Sequence, residues 1–375
     1  MNIKSLYTDK KIIDYEQVKN LLISEPYKIS VKYDNDLYRL YSNKLFDERA
    51  EHDIFRECSG IIFDRTEVNK IVCYCMNNSE EIKITDNCDV NETIKNIKFL
   101  NITDWNKIKI YKLYDGSMVR LYYHNDKWNV ATTKCIDASK AKWGSSKSFY
   151  ELFTECIHDN NIYESLDKNK CYSFIIQHPE NKIVVEHTKP SIIHVSSRDL
   201  TTLEECEETI GIEHPESFEF NSFHDLVNYC QDQDHNFPGF MLIDENLNRM
   251  RVIAPNYSNV KSLRGNVMNI KTRILELRKK NTDELESFLK YYPEYREMKI
   301  NMEKHLLNIV NSIYIKYVQR RVYKQKVELN SSESHVHFLL HGLYLRTRQK
   351  ISFNDVLMVV NSLPIYKIEF LLLQE

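Results

Sequence analysis

The chain has 375 residues, with 51 lysines and arginines against 54 aspartates and glutamates, a formal net charge of −3. A balance so near neutrality excludes the strongly basic signature of a DNA-coating protein, while leaving room for a local basic groove. With 42% hydrophobic and 28% charged residues, the composition is that of a soluble globular protein with one sizeable core and a second, smaller unit.

The first residues, Met-Asn-Ile-Lys-Ser-Leu-Tyr-Thr-Asp-Lys-Lys, lack the continuous apolar stretch of a signal peptide. No window approaches eighteen uninterrupted apolar residues, so no membrane span is expected. Nine cysteines, an odd number with no C-x-x-C pair, support neither a disulfide framework nor a structural zinc site, and a reducing intracellular compartment is expected. There are only 7 glycines and 8 prolines, with abundant tyrosine, lysine, asparagine and isoleucine, as an A+T-rich coding bias produces. Glycines that survive such a bias mark positions needing positive φ, a tight turn or close approach to a ligand.

In chain order, residues 1 to about 50 alternate short helical and strand-like segments. Strand signals follow at Gly60 to Asp64 and Ile71 to Cys75, then at Ile108 to Leu113, Met118 to Tyr123, Trp128 to Thr132 and Tyr172 to Gln177. Further runs lie at Ile183 to Glu186, Ile192 to Val195, Phe240 to Asp244 and Met250 to Ile253. Their β-branched and aromatic content, with turn residues between, predicts a mainly antiparallel sheet structure. Ser148 to Ile157 is a helical interruption opened by a serine suited to N-capping.

After Gly265 the periodicity turns helical. Met302, Leu306, Ile309, Ile313 and Tyr317 recur at spacings of four and three, as one buried helix stripe requires. Phe338, Leu339, Leu343 and Leu345 mark another helix, Val356, Val359 and Val360 a third, and Pro364 opens a final one at its first position. The expectation is therefore α+β: a β-rich domain over residues 1–262, then an all-helical domain over 263–375.

The sharpest chemical signal is Lys112-Leu113-Tyr114-Asp115-Gly116-Ser117, between two strands. A lysine at a strand end before an Asp-Gly turn presents an amine at the mouth of a sheet, where it can attack phosphorus or a carbonyl carbon. In isolation the pattern reads first as a surface lysine before a hairpin turn.

The surrounding segments resemble, in order, those of the covalent nucleotidyltransferases, specifically ATP-dependent RNA ligases of the bacteriophage tRNA-repair type. Glu57 to Asp64 looks like the strand before the nucleophile, Lys112 to Gly116 like the nucleophile motif, and Trp128 to Lys134 like the next strand. Ser148 to Phe153 resembles the helix after it. Phe174 to Val184, with its Gln-His-Pro-Glu-Asn-Lys-Ile-Val run, resembles motif III, and Ser197-Arg198-Asp199 the segment beyond. Gly239 to Asp244 sits where motif IV belongs and Arg249 to Tyr257 where motif V belongs, so the likeness covers roughly residues 50–265. It implies an antiparallel-sheet, ATP-grasp-like ligase domain.

It also implies that Lys112 attacks the ATP α-phosphate to give a lysyl-AMP. The AMP then passes to an RNA 5′-phosphate, and a 3′-hydroxyl displaces it. Asp115 and Gly116 would shape the nucleotide pocket, with Lys134 and Arg251 on its phosphates. The implied cofactor is ATP, with room for Mg2+, and the implied partner is RNA, including tRNA. Similar sequences with a Q-H-P-x-N motif III belong to large DNA viruses, which implies a viral protein in the host cytoplasm or virion.

The sequence departs from the pattern at several points. Ser59 stands where these ligases carry arginine, Ile175 and Pro238 where motifs III and IV carry glutamates, and Ile253 at the second basic position of motif V, with Arg251 replacing the first lysine. Losing two carboxylates removes the obvious oxygen ligands for magnesium, leaving Asp115, Gln177 or Asp244 as substitutes. Two other readings stand beside ligation: a degenerate ligase fold that binds RNA or nucleotide, and a structural or interaction protein. Lesser signals are His178-Pro179; His335, His337 and His341, with a zinc-compatible i, i+4 pair; the basic stretch Lys316, Arg320, Arg321, Lys324 and Lys326; Tyr291-Tyr292 before Pro293; and Trp143 to Ser146 as a mobile loop near the nucleotide.

Overall fold

A computed structural model describes residues 22–23, 29–34, 36–41, 57–66, 70–74, 76–85, 90, 93–94, 97, 102–157 and 162–373. Much of the alternation expected over residues 1–50, and Cys75, lie outside the described residues. The chain divides into two compact units, Met1–Ser262 and Leu263–Glu375.

Among the described residues, three sheets build the first unit. One runs β1 (Ser30–Asp34), β2 (Leu37–Tyr41), β3 (Ser59–Asp64) and β4 (Lys70–Cys73), each antiparallel to the next. The second contains β7 (Ser117–His124), β8 (Lys127–Thr132), β9 (Lys170–Gln177), β10 (Ser191–Asp199) and β11 (Glu205–Cys206), in the order β11-β10-β9-β7-β8. The third is ordered β12-β6-β13-β14-β5, from β12 (Ser217–Phe218), β6 (Lys109–Lys112), β13 (Gly239–Ile243), β14 (Arg249–Ile253) and β5 (Glu80–Lys83). The architecture is the expected mixed α+β with antiparallel sheets, apart from the parallel pairing of β5 with β14.

Local chemistry explains these elements. Asn125 and Asp126, at φ 51° and 57°, make the two-residue turn between β7 and β8, a conformation these two residue types tolerate better than most. Ser148 caps the helix Phe149–Cys156 as expected, and Glu151 completes a capping box by accepting from the Ser148 backbone N–H.

Alternation along β7 and β9 then sorts the core. Val119, Leu121, Tyr172, Phe174 and Ile176 pack under Leu152 and Phe153 of that helix. On the other face, Tyr122 and Cys171 pack with Ile62, Val72 and Cys73 of β3 and β4. Burying residues of this size stabilises by about 1.5–3 kcal/mol apiece.

The expected strand Ile183 to Glu186 does not form. The backbone N–H groups of Val184 and Val185 donate to the Asp115 carboxylate at 2.8 and 2.7 Å, and so are withdrawn from any ladder.

The second unit is helical over its described residues, with helices Ile270–Lys280, Thr282–Tyr291, Arg296–Arg321, Ser331–Thr347, Phe353–Ser362 and Ile365–Leu372. The long helix buries Met302, Leu306, Val310, Ile313 and Tyr317, so Val310 takes the place expected for Ile309. The helix expected around Phe338 forms, but its buried residues are Glu333, Val336, His337 and Leu340, while Phe338 is 74% exposed. Pro364 is the N-cap of the last helix rather than its first residue. No helix among the described residues is long and apolar enough to cross a membrane.

Candidate nucleotide site

Between the second and third sheets lies a cavity of about 900 Å³. Its floor follows strand alternation. Lys109 and Tyr111 on β6, Met241 and Ile243 on β13, and Arg249 and Arg251 on β14 are register partners, so all six side chains share the cavity face. Met118 of β7 and Ile175 of β9, themselves register partners, line it from the second sheet.

Lys112 also lines the cavity, where the chain leaves the end of β6. Its backbone N–H donates to the Glu216 carbonyl at 2.8 Å, and that of Leu113 to the Gly239 carbonyl at 2.9 Å. These two bonds hold the backbone where it leaves the strand. The amine, one-third exposed, lies 3.8 Å from a Glu216 carboxylate oxygen and 5.7 Å from the Tyr114 ring centre.

Two glycines make room for this turn. A Cβ on Gly116 would lie 2.3 Å from the Ile176 carbonyl oxygen. On Gly239, at φ +126°, a Cβ would lie 1.9 Å from the Val252 carbonyl oxygen.

Of the residues the sequence singled out, Lys112, Gly116, Ile175, Asp244 and Arg251 come together on the cavity; Asp115 and Lys134 do not line it. Asp115 is buried and accepts from Val184 N–H, Val185 N–H and the Tyr257 hydroxyl, the last at 2.8 Å. Its role is to clamp the Ile183–Val185 segment and Tyr257 onto the lysine turn. Lys134 is exposed in the turn after β8. Trp143 to Ser146 does not line the cavity either, and Ser145 donates instead to Glu180 at 2.9 Å.

The substitutes for the missing glutamates are committed elsewhere. Asp244 accepts from the N–H groups of Asn246 and Asn248 and from the Asn248 side chain. Gln177 donates to the Asp115 carbonyl and accepts from Ser191. Ile175 puts a hydrocarbon on the wall where a carboxylate was the pattern. Among the described residues no group of three or more His, Cys, Asp or Glu could hold a metal ion, so these side chains make no magnesium cage.

Sequence reasoning missed Arg249 and the acids. Arg249 supplies a second arginine on the floor, and Arg249-Met250-Arg251 carried the period-two signal that could have revealed it. Every cation on the floor or at the turn has a carboxylate partner: Lys109 with Glu207, Lys112 with Glu216, Arg249 with Glu205, and Arg251 with Glu81 at 3.2 Å. Glu205 also reaches Arg198 at 3.4 Å, and the Arg198 guanidinium lies 4.1 Å from the Tyr74 ring centre. Buried His194 lines the cavity with its ring 4.7 Å from that of His214. Burial first, and His214 second, push its pKa down to about 4.

The remaining histidines serve structure. His178 accepts from Glu180 N–H and contacts Glu155 at 2.9 Å. His335 contacts the Lys367 amine, His337 packs on Tyr317 and His341 stacks on Tyr344, three separate environments.

No family model matches the chain. It is 24% identical over 252 residues to the immediate-early protein ICP-46 homolog of Invertebrate iridescent virus 3, covering 64% of this chain and 55% of that protein. It is 24% identical over 243 residues to the putative bifunctional polynucleotide kinase/RNA ligase of Autographa californica nuclear polyhedrosis virus, covering 61% and 34%. With the RNA ligase of Rhodothermus phage RM378 it shares 31% over 103 residues, 25% and 23% of the two chains. The chain thus spans about half, or less, of the length of the curated relatives it matches. Among solved structures it is similar to an archaeal ATP-dependent RNA ligase (TM-score 0.45, 7% identity, 82% of this chain and 83% of that one). A putative ATP-dependent DNA ligase from Aquifex aeolicus gives 0.43, with 10% identity, 92% and 97%.

Proposed function

We propose that the chain is an RNA-ligase-type nucleotidyltransferase that uses ATP, with Lys112 as the nucleophile and RNA as the acceptor. The observation that carries the reading is the placement of Lys112. It ends a strand on the wall of a nucleotide-sized cavity that Arg249 and Arg251 also line. The amine attacks the α-phosphorus; a P–N bond forms, the bond to pyrophosphate breaks, and one proton leaves the nitrogen. Arg249 and Arg251 stabilise the negative charge that gathers on the transferring and leaving phosphates. AMP then moves to an RNA 5′-phosphate, and a 3′-hydroxyl displaces it.

The test is covalent labelling. Incubation with ATP labelled at the α-phosphate and a divalent cation should leave acid-stable AMP on the chain, and Lys112→Ala should abolish it. Labelling that survives Lys112→Ala refutes the assignment. A second reading, a non-catalytic RNA or nucleotide binder on the same fold, is favoured by Ile175, which leaves an apolar wall at the motif III position. Retention of RNA with steep salt dependence, and no AMP label, is its signature.

A further inference from the structure

Residues 204–216 read Glu-Glu-Cys-Glu-Glu-Thr-Ile-Gly-Ile-Glu-His-Pro-Glu, six glutamates in thirteen positions with no lysine or arginine. This segment starts at the β11 edge of one cavity-forming sheet and ends at the β12 edge of the other; Glu205 to Thr209, His214 and Pro215 line the cavity, and Glu216 stands just beyond that lining, 3.8 Å from the Lys112 amine. It is tied by two residue pairs at each end, Ser197↔Cys206 and Arg198↔Glu205 with β10, and Ser217↔Tyr111 and Phe218↔Ile110 with β6. In its middle, Glu213 accepts from the His194 N–H at 2.8 Å.

Three of the four cavity cations take their carboxylate from this one segment: Arg249 from Glu205, Lys109 from Glu207 and Lys112 from Glu216. Glu208, which also lines the cavity, pairs with Lys170 at 2.6 Å. The contacts differ in strength. Glu205 and Arg249 are both nearly buried, whereas the Glu207 and Glu216 side chains are 82% and 59% exposed. Exposed pairs of that kind exchange readily, because solvent screens them and holding two long side chains costs entropy.

We propose that residues 204–216 form an acidic strap whose carboxylates occupy the phosphate positions of the cavity in the resting state. A polyphosphate then enters only by displacing Glu207 and Glu216, while Glu205 keeps the strap anchored. The strap is a built-in competitor that sets the threshold for nucleotide binding. This rests on the reading of the cavity as a nucleotide site.

The experiment uses the full chain and inorganic tripolyphosphate as the probe, in low salt without divalent metal, followed by calorimetric titration. Glu207→Gln/Glu216→Gln should bind about tenfold more tightly than the unmodified chain, since two repelling charges are gone. Glu164→Gln, at an exposed glutamate away from the cavity, should leave affinity unchanged. High salt should erase the gain. Equal or weaker binding by the double variant, or no binding by either chain, overturns the strap. The AMP-labelling experiment is read separately. Labelled Lys112 without an affinity gain sinks the strap alone, and an affinity gain without label sinks the ligase reading alone.

Discussion

Replacing Asp115 separates a structural clamp from a catalytic group. The carboxylate is 3% exposed and accepts three hydrogen bonds, from Val184 N–H, Val185 N–H and the Tyr257 hydroxyl. Asp115→Ala removes the acceptor shared by these three donors, of which those of Val184 and Tyr257 are buried and that of Val185 half-buried. At about 1–3 kcal/mol per unsatisfied group, and allowing for partial relaxation, the cost is about 4 kcal/mol. Asp115→Asn keeps one acceptor oxygen for the two N–H groups and lets the tyrosine hydroxyl rotate to accept from the new amide. It forfeits mainly the charge assistance, about 2 kcal/mol.

The three tryptophans, Trp105, Trp128 and Trp143, all belong to the first unit, so tryptophan fluorescence during urea unfolding reports that unit alone. The midpoint should fall in the order unmodified, Asn, Ala at constant slope. Combining Asp115→Asn with Tyr257→Phe should show a coupling of about 1 kcal/mol. A midpoint for Asp115→Asn within about 0.3 kcal/mol of the unmodified chain refutes the clamp.

Two further outcomes are expected. Glu205→Leu should cost about 3–5 kcal/mol in the same fluorescence assay, because it strands the buried Arg249 guanidinium, and loss of less than about 1 kcal/mol would remove Glu205 as the anchor between the two sheets. His337, buried against Tyr317 with Arg320, Arg321 and Glu333 around it, has its pKa pushed down to about 4 by burial first and Arg320 second. Above its unfolded value of about 6.5 it is neutral in both states, and between there and about 4 the unfolded chain binds the extra proton. Helical stability followed by circular dichroism should therefore fall as pH drops through that window. His337→Phe should flatten the slope by up to about 1.4 kcal/mol per pH unit, and an unchanged slope refutes the assignment.

The segments legible in the sequence are those whose own residues determine them. β7, β8, β13 and β14 carry β-branched and aromatic residues between turn formers, and Ser148 caps its helix within three residues. β5, Glu-Glu-Ile-Lys, has no strand signature and is a strand because β14 lies beside it. Ile183 to Glu186 has the signature and is not a strand, because Asp115, nearly seventy positions earlier, claims its N–H groups. The same limit governs the site. Lys112 and Gly116 carried a local cue, but Lys134 and Arg251 were assigned through the resemblance alone, and the pairing of Arg249 with Glu205 depends on a sheet that no local pattern encodes.

The order of strands in the third sheet has a kinetic consequence. Among the described strands that pair there, only β13 and β14 follow one another in the chain; β6 finds β13 well over a hundred residues downstream, and β5 finds β14 across a still longer gap. Contacts so remote are slow to close, so the hairpin of β7 and β8 is free to form long before the wall behind Lys112 exists. On a growing polypeptide the Lys112 amine would emerge early and wait, without the two arginines of the cavity floor, until residue 253 has been made.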